Sequence, residues 1–174
     1  DYVFKEIQRI KKEHEDIPLH AVIVDVGASG AYYIASAADN IYVNPASIVG
    51  SIGVLMNGFG FTGAMEKIGV ERRLLTAGDS KGALDPFSPL NEDEVVHVKG
   101  LLNNIHEEFI SSVKEGRGDR LKHEENPDLF SGLFWSGRES VELGLADGIG
   151  DVGYVVRDVI GVEDTVELTP KPEH

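Results

Sequence analysis

The chain has no cysteine among its 174 residues. That excludes disulfides, a thiol nucleophile and cysteine-ligated zinc, and it suits an extracytoplasmic location without requiring one. No window holds the roughly 20 consecutive apolar residues of a membrane-spanning helix. Basic residues are scarce: 16 Lys and Arg stand against 30 Asp and Glu, for a net charge of −14. Such a balance argues against nucleic acid or an anionic membrane as the main partner. There is no internal repeat, no low-complexity tract, and no metal, nucleotide or flavin signature, so no cofactor is expected. The hydrophobic fraction of 41% and aromatic fraction of 7% are those of an ordinary globular chain that reads as soluble.

What is present is a serine at a strand-to-helix junction. Ala21-Val22-Ile23-Val24 reads as a buried strand, and Ala31, Tyr32, Ile34, Ala35, Ala37 and Ala38 fit a tightly packed helix. Ser29 lies between them in Gly27-Ala28-Ser29-Gly30-Ala31, where a sharp turn would expose its hydroxyl. The N–H of Gly30, at the helix start, could then hold a developing oxyanion. The competing reading is an N-cap serine in a glycine-rich turn. Ala31 stands where a Gly-x-Ser-x-Gly elbow would have its last glycine.

Further along, strand and helix patterns alternate. An opening helix places Val3, Phe4, Ile7 and Ile10 at helical spacing. Ile41-Tyr42-Val43 is a strand stopped by Asn44-Pro45, and Val49 to Leu55 is a second apolar stretch. Thr62 to Ile68 predicts a short helix closed at Gly69, and Val70 to Thr76 alternates as a strand. Asn91 caps the longest helix, with Glu94 completing a capping box. Its stripe of Val95, Val98, Leu102, Ile105 and Phe109, core or subunit contact, ends at Gly116 and Gly118. Asp119 to Asp128 reads as a polar loop, and Phe130, Leu133 and Trp135 as exposed. Ser136 caps a last short helix through Leu143, closed by Gly144. The pattern predicts an α/β fold with a mainly parallel sheet, residues 1–162 forming a single domain and 163–174 a tail.

A serine nucleophile needs a base. His14, His97, His106 and His123 lie among charged residues, His20 begins the first strand remote from Ser29, and His174 is terminal; each reads as a solvated side chain. Lys81, in Ala77-Gly78-Asp79-Ser80-Lys81-Gly82-Ala83, is the better candidate. It can serve only if desolvation lowers its pKa from about 10.4 towards neutrality. On the residues alone it reads as a solvated loop lysine. Ser51, in Gly50-Ser51-Ile52-Gly53, is equally a packing serine. Asp25 and Asp79 receive no catalytic role, since an anionic neighbour would raise a lysine's pKa.

Gly27 to Ala35, Val49 to Val54 and the Gly78–Pro89 loop together resemble the signal peptide peptidase A family of serine–lysine peptidases. The resemblance continues through Glu115-Gly116-Arg117-Gly118, Phe134-Trp135-Ser136-Gly137-Arg138 and Glu142-Leu143-Gly144-Leu145-Ala146-Asp147. It implies a Clp protease/crotonase-like spiral fold, Ser29 as nucleophile, Lys81 as general base, Ser51 orienting the lysine, and Gly30 N–H as one oxyanion donor. It further implies that this is the C-terminal part of a longer precursor. The membrane anchor and an earlier strand–helix portion, whose glycine-rich turn supplies the second oxyanion donor, would be absent. Expected substrates are remnant signal peptides or other unfolded, released polypeptides. The expected assembly is a ring- or dome-shaped homo-oligomer in the bacterial cell envelope, with its catalytic domain extracytoplasmic. Two other classes stay open: a crotonase-type acyl-CoA enzyme and a non-catalytic assembly subunit of the same fold.

Overall fold

A computed structural model describes residues 1–168 as two compact units. The first takes Asp1–Gly53 and the chain from Phe109 on; the second is Val54–Glu108. The C-terminal residues 169–174 of the expected tail lie outside the described residues.

The first unit is built on two three-stranded sheets. In one, β1 (His20–Ile23), β3 (Asn40–Val43) and β6 (Gly148–Ile149) run parallel in the order β1-β3-β6. In the other, β2 (Val26–Ala28) pairs in parallel with β4 (Ile48–Gly50), which pairs antiparallel with β5 (Phe134–Ser136). The α/β architecture with parallel pairing agrees with the sequence reading. Asn44 stops β3 by forming a turn, its Oδ1 accepting the N–H of Ala46 at 3.0 Å. Helix α1 (Tyr2–Glu13) forms as its spacing predicts and buries Phe4. Helix α2 (Gly30–Ala35) is shorter than the apolar pattern through Ala38 implied.

Ile23, Tyr32, Ile41, Val43, Val49, Ile52, Phe109, Val113, Leu129 and Leu145 form the core of this unit. Each fully buried aliphatic side chain stabilises by about 1.5–3 kcal/mol. Phe130 and Trp135 pack against this core and are half-buried, so the expectation of exposure holds only for Leu133. The aromatic ring of Trp135 turns inward because β5 pairs with β4, setting Trp135 opposite the buried Val49. Helix α5 (Gly137–Glu142) starts with a complete capping box. Ser136 Oγ accepts the N–H of Glu139 while Glu139 Oε2 accepts the N–H of Ser136 at 2.9 Å. Gly144 follows at φ +76°, a left-handed conformation that glycine adopts without strain. Near the end of the unit, α6 (Val152–Tyr154) continues as a π-helical turn over Val155–Ile160.

In the second unit, α3 (Thr62–Ile68) closes on Gly69 at φ +69°, as read from the sequence. Val70 to Thr76, in contrast, forms no strand. Its alternation is real, but among the described residues no strand pairs with it to supply a ladder for its backbone. Val49 to Leu55 likewise forms a strand only up to Gly50. The long helix α4 (Glu92–Arg117) begins under the Asn91 cap, whose Oδ1 accepts the N–H of Asp93 at 2.9 Å. The capping box is half-made: Glu94 turns away and accepts the N–H of Leu84. Along the stripe, Phe109 is buried in the first unit's core, Val95, Val98 and Leu102 are half-buried, and Ile105 is exposed.

Candidate active site

Ser29 joins β2 to α2 with φ 53° and ψ −124°. This is a conformation that costs a non-glycine residue about 1–3 kcal/mol, and it persists only where the surroundings enforce it. They do so here through hydrogen bonds on both sides. Ser29 N–H donates to Gly50 O at 2.8 Å, and Tyr33 N–H donates to Ser29 O at 2.9 Å. The side chain is left exposed at the end of a strand and the start of a helix. Gly30 is the first residue of α2, so no carbonyl within the helix can accept its N–H.

Two tyrosines hold α2. Tyr32, fully buried, donates its O–H to Leu145 O at 2.8 Å. Burial pushes its phenol well above the ordinary range, with the Arg117 charge opposing, so it stays a neutral donor. Tyr33 stacks on Phe109, ring centroids 4.5 Å apart, and its hydroxyl shares a 2.9 Å hydrogen bond with Ser112.

Ser51 belongs to the same corner. The β2–β4 register pairs Ala28 with Gly50, so Ser29 and Ser51 each follow a member of one strand pair. Ser51 also has a positive φ, 52°, and its N–H donates to Leu133 O at 2.7 Å. Gly50, at φ +108°, admits no larger residue, because a Cβ there would come within 2.8 Å of the Trp135 ring. The first unit thus brings Ser29, Gly30 and Ser51 together. Replacing Ser29 with glycine, which adopts this φ freely, should raise the unfolding free energy by about 1 kcal/mol. Urea denaturation of Ser29→Gly checks this, and unchanged stability would remove the strain argument.

Lys81 lies in the second unit, on a run of tight turns. Its N–H donates to Gly78 O at 3.1 Å, Ala83 N–H to Ser80 O and Asp85 N–H to Gly82 O. Gly78 and Leu84 take positive φ values of 101° and 58°. Asp85 anchors the run by accepting Ser88 Oγ–H at 2.6 Å and Arg72 Nε–H at 3.1 Å. These hydrogen bonds, Ser88 first, hold its carboxyl below the ordinary value. The Lys81 side chain is exposed. Of the histidines, His14 and His97 are exposed, whereas His20, His106 and His123 are half-buried and not the solvated side chains expected. His20 stands opposite Asn40 at the start of β1, with a buried Nδ1 that has no hydrogen-bond partner among the described residues.

A buried ion pair in the first unit joins two segments that the sequence offered only as separate motifs, with no sign that they meet. Arg117, at the end of α4, is fully buried and grips Asp147 with two parallel bonds of 2.8 and 2.9 Å. Its Nε–H donates to Gly144 O at 2.9 Å. Arg120 adds a third bond to Asp147 at 3.0 Å, and Ile41 N–H a fourth at 2.7 Å. Burial works to raise the Asp147 pKa. The Arg117 hydrogen bond, the Ile41 N–H and both arginine charges outweigh it, and the carboxyl is held below its ordinary value. An arginine between two glycines at a helix end was the available signal.

Residues 11–162 match the model of peptidase family S49, and the chain belongs to that family. This bears out the resemblance to signal peptide peptidase A. The chain is 31% identical over 148 residues to a putative signal peptide peptidase SppA of Enterococcus faecium, covering 85% of this chain and 42% of that protein. It is 46% identical over 166 residues to a Brucella abortus protein named Na(+)/H(+) antiporter NhaA, covering 95% of this chain and 22% of that one. The chain thus spans between a fifth and a half of these relatives. No helix among the described residues is long and apolar enough to cross a membrane. A solved structure of a membrane-bound stomatin-specific protease mutant in complex with a substrate peptide is also similar. Its TM-score is 0.47 with 14% identity, covering 89% of this chain and 57% of that one.

Proposed function

We propose that this chain carries the catalytic residues of a serine peptidase that cleaves polypeptides through an acyl-enzyme on Ser29. The observation that carries the reading is the exposed serine at φ 53° between β2 and α2, in a chain of peptidase family S49. Ser29 Oγ attacks the scissile carbonyl as the Lys81 amine takes its proton, and Gly30 N–H donates to the oxyanion. Lys81 returns the proton to the leaving amine, and water then releases the acyl group from Ser29. Ser51 orients the lysine.

A lysine base must be shielded from water, yet Lys81 is exposed within its own unit. The reading therefore assigns the shielding to the bound polypeptide and to neighbouring subunits of a homo-oligomer. Substrates are remnant signal peptides or other released polypeptides at the cell envelope, where the longer protein is anchored.

Treatment of the full-length protein with a fluorophosphonate probe should place the label on Ser29, as located by peptide mass spectrometry. An unlabelled Ser29 in folded protein, or coenzyme-A ester turnover without peptide cleavage, would overturn the reading. Lys81→Ala should abolish hydrolysis and Lys81→Arg should fail to restore it, because a guanidinium does not deprotonate near neutral pH. Mixing Ser29→Ala with Lys81→Ala protein should recover part of the activity if subunits share sites. A mixture that stays inactive despite subunit exchange confines each site to one protomer.

A further inference from the structure

The second unit presents an asparagine whose chemistry the proposed peptidase reading does not use. Asn57-Gly58 lies in the exposed segment between Gly53 and α3. Among the described residues, none of the backbone hydrogen bonds outside helices and strands falls on residues 54–60. A Cβ built on Gly58 would meet nothing within 4 Å, so the chain at Gly58 has open space on its side-chain face. We propose that Asn57 is a site of spontaneous deamidation, which converts the chain over time into aspartyl and isoaspartyl forms at this one position.

The chemistry needs only water. The Gly58 backbone nitrogen attacks Asn57 Cγ; the new N–Cγ bond forms as the Cγ–Nδ2 bond breaks. Ammonia leaves, carrying the Gly58 amide proton, and a succinimide ring remains. Water opens the ring at either carbonyl, so that one water is consumed, one ammonia is released and nothing is oxidised. The reaction requires the backbone at residues 57 and 58 to rotate until nitrogen and Cγ meet. A glycine in an irregular segment permits that rotation, and a helix or strand forbids it.

The other asparagines are protected, each for a visible reason. Asn44 and Asn126 precede prolines, which have no N–H to lose. Asn103 and Asn104 lie inside α4, and Asn40 within β3 ahead of the β-branched Ile41. Asn91 has its Oδ1 engaged by the N–H groups of Asp93 and Glu94. Asp147-Gly148, the one aspartate followed by glycine, has its carboxylate held by Arg117, Arg120 and Ile41 N–H.

The product sits where it matters for the second unit. Asn57 lines a cavity of about 490 Å³ with Met56, Phe59, Leu84, Asp85 and Leu90. Conversion adds a second carboxylate to the lining that already holds Asp85, and the isoaspartyl form also lengthens the backbone by one carbon at the cavity.

The test incubates the full chain in near-neutral buffer at body temperature and maps its peptides by mass spectrometry over several days. The amide-to-acid mass gain should accumulate at Asn57 ahead of every other asparagine, and an isoaspartyl methyltransferase should label the same peptide. Gly58→Ala should slow conversion by about tenfold, since alanine restricts the backbone rotation that glycine allows. Its added methyl has open space, so the variant should fold. The proposal is overturned if Asn57 keeps its amide while a short peptide of the same sequence loses it. Faster conversion at Asn91, Asn103 or Asn104, or parent-like conversion in Gly58→Ala, would overturn it equally. None of these readouts depends on peptidase activity.

Discussion

Ser29→Ala protein should fold as the parent does and lose peptide hydrolysis by a factor of about 10³ or more, the scale on which removal of a nucleophile acts. Alanine inherits the same strained φ, and the hydroxyl it deletes is exposed and makes no cap hydrogen bond, so stability should change by no more than about 0.5 kcal/mol. The measurement is kcat/KM on an unfolded polypeptide, set beside the urea midpoint. Activity retained within about tenfold would remove Ser29 from the nucleophile's role. The contrast with Ser29→Gly is informative, because both variants delete the hydroxyl and only glycine relieves the backbone.

The second large effect is on stability. Asp147→Ala should cost about 3–5 kcal/mol, because it leaves the buried Arg117 guanidinium with no carboxylate to face. Ile41 N–H loses its acceptor in the same step. Replacing both partners, as in Arg117→Met with Asp147→Leu, should recover most of that loss, since the buried charge is then gone. A double variant no more stable than Asp147→Ala would refute this account.

The pair also sets an acid limit. The folded-state pKa of Asp147 is depressed, so its contribution is fully present above the unfolded value of about 3.9 and is lost as pH falls through the folded value. Parent protein should therefore lose stability more steeply below about pH 4 than Asp147→Asn protein does. Urea midpoints measured across that range decide the point, and parallel curves would contradict it.

How far the sequence revealed these features depended on the range of the interactions behind them. The junction at Ser29 was legible because an apolar run followed by small residues is a local pattern. Ser136 with Glu139, and Asn91 with the α4 start, were legible for the same reason. The strained φ of Ser29 was not, since serine carries no mark of a left-handed turn and the hydrogen bonds to Gly50 and from Tyr33 impose it. Val70 to Thr76 misled because alternation describes a strand's two faces and says nothing of its partners. Strand β5 escaped notice because it pairs with a segment some eighty residues earlier in the chain. The Arg117–Asp147 pair is thirty residues apart and equally beyond a local window. For the site itself, the case for Lys81 and Ser51 came from the family resemblance, while Ser29 and Gly30 also had a reading of their own.

The two serines at positive φ carry a consequence for descent as well as for chemistry. At both positions 29 and 51 the fold asks for glycine, and the chain supplies serine. If these hydroxyls serve the proposed site, a lineage released from that role would find single-step changes to glycine that make the protein more stable, at two neighbouring points of one sheet. Loss of function would then be rewarded by the fold and not merely tolerated. A descendant that kept this architecture as a scaffold alone should reveal itself by glycine at these two corners.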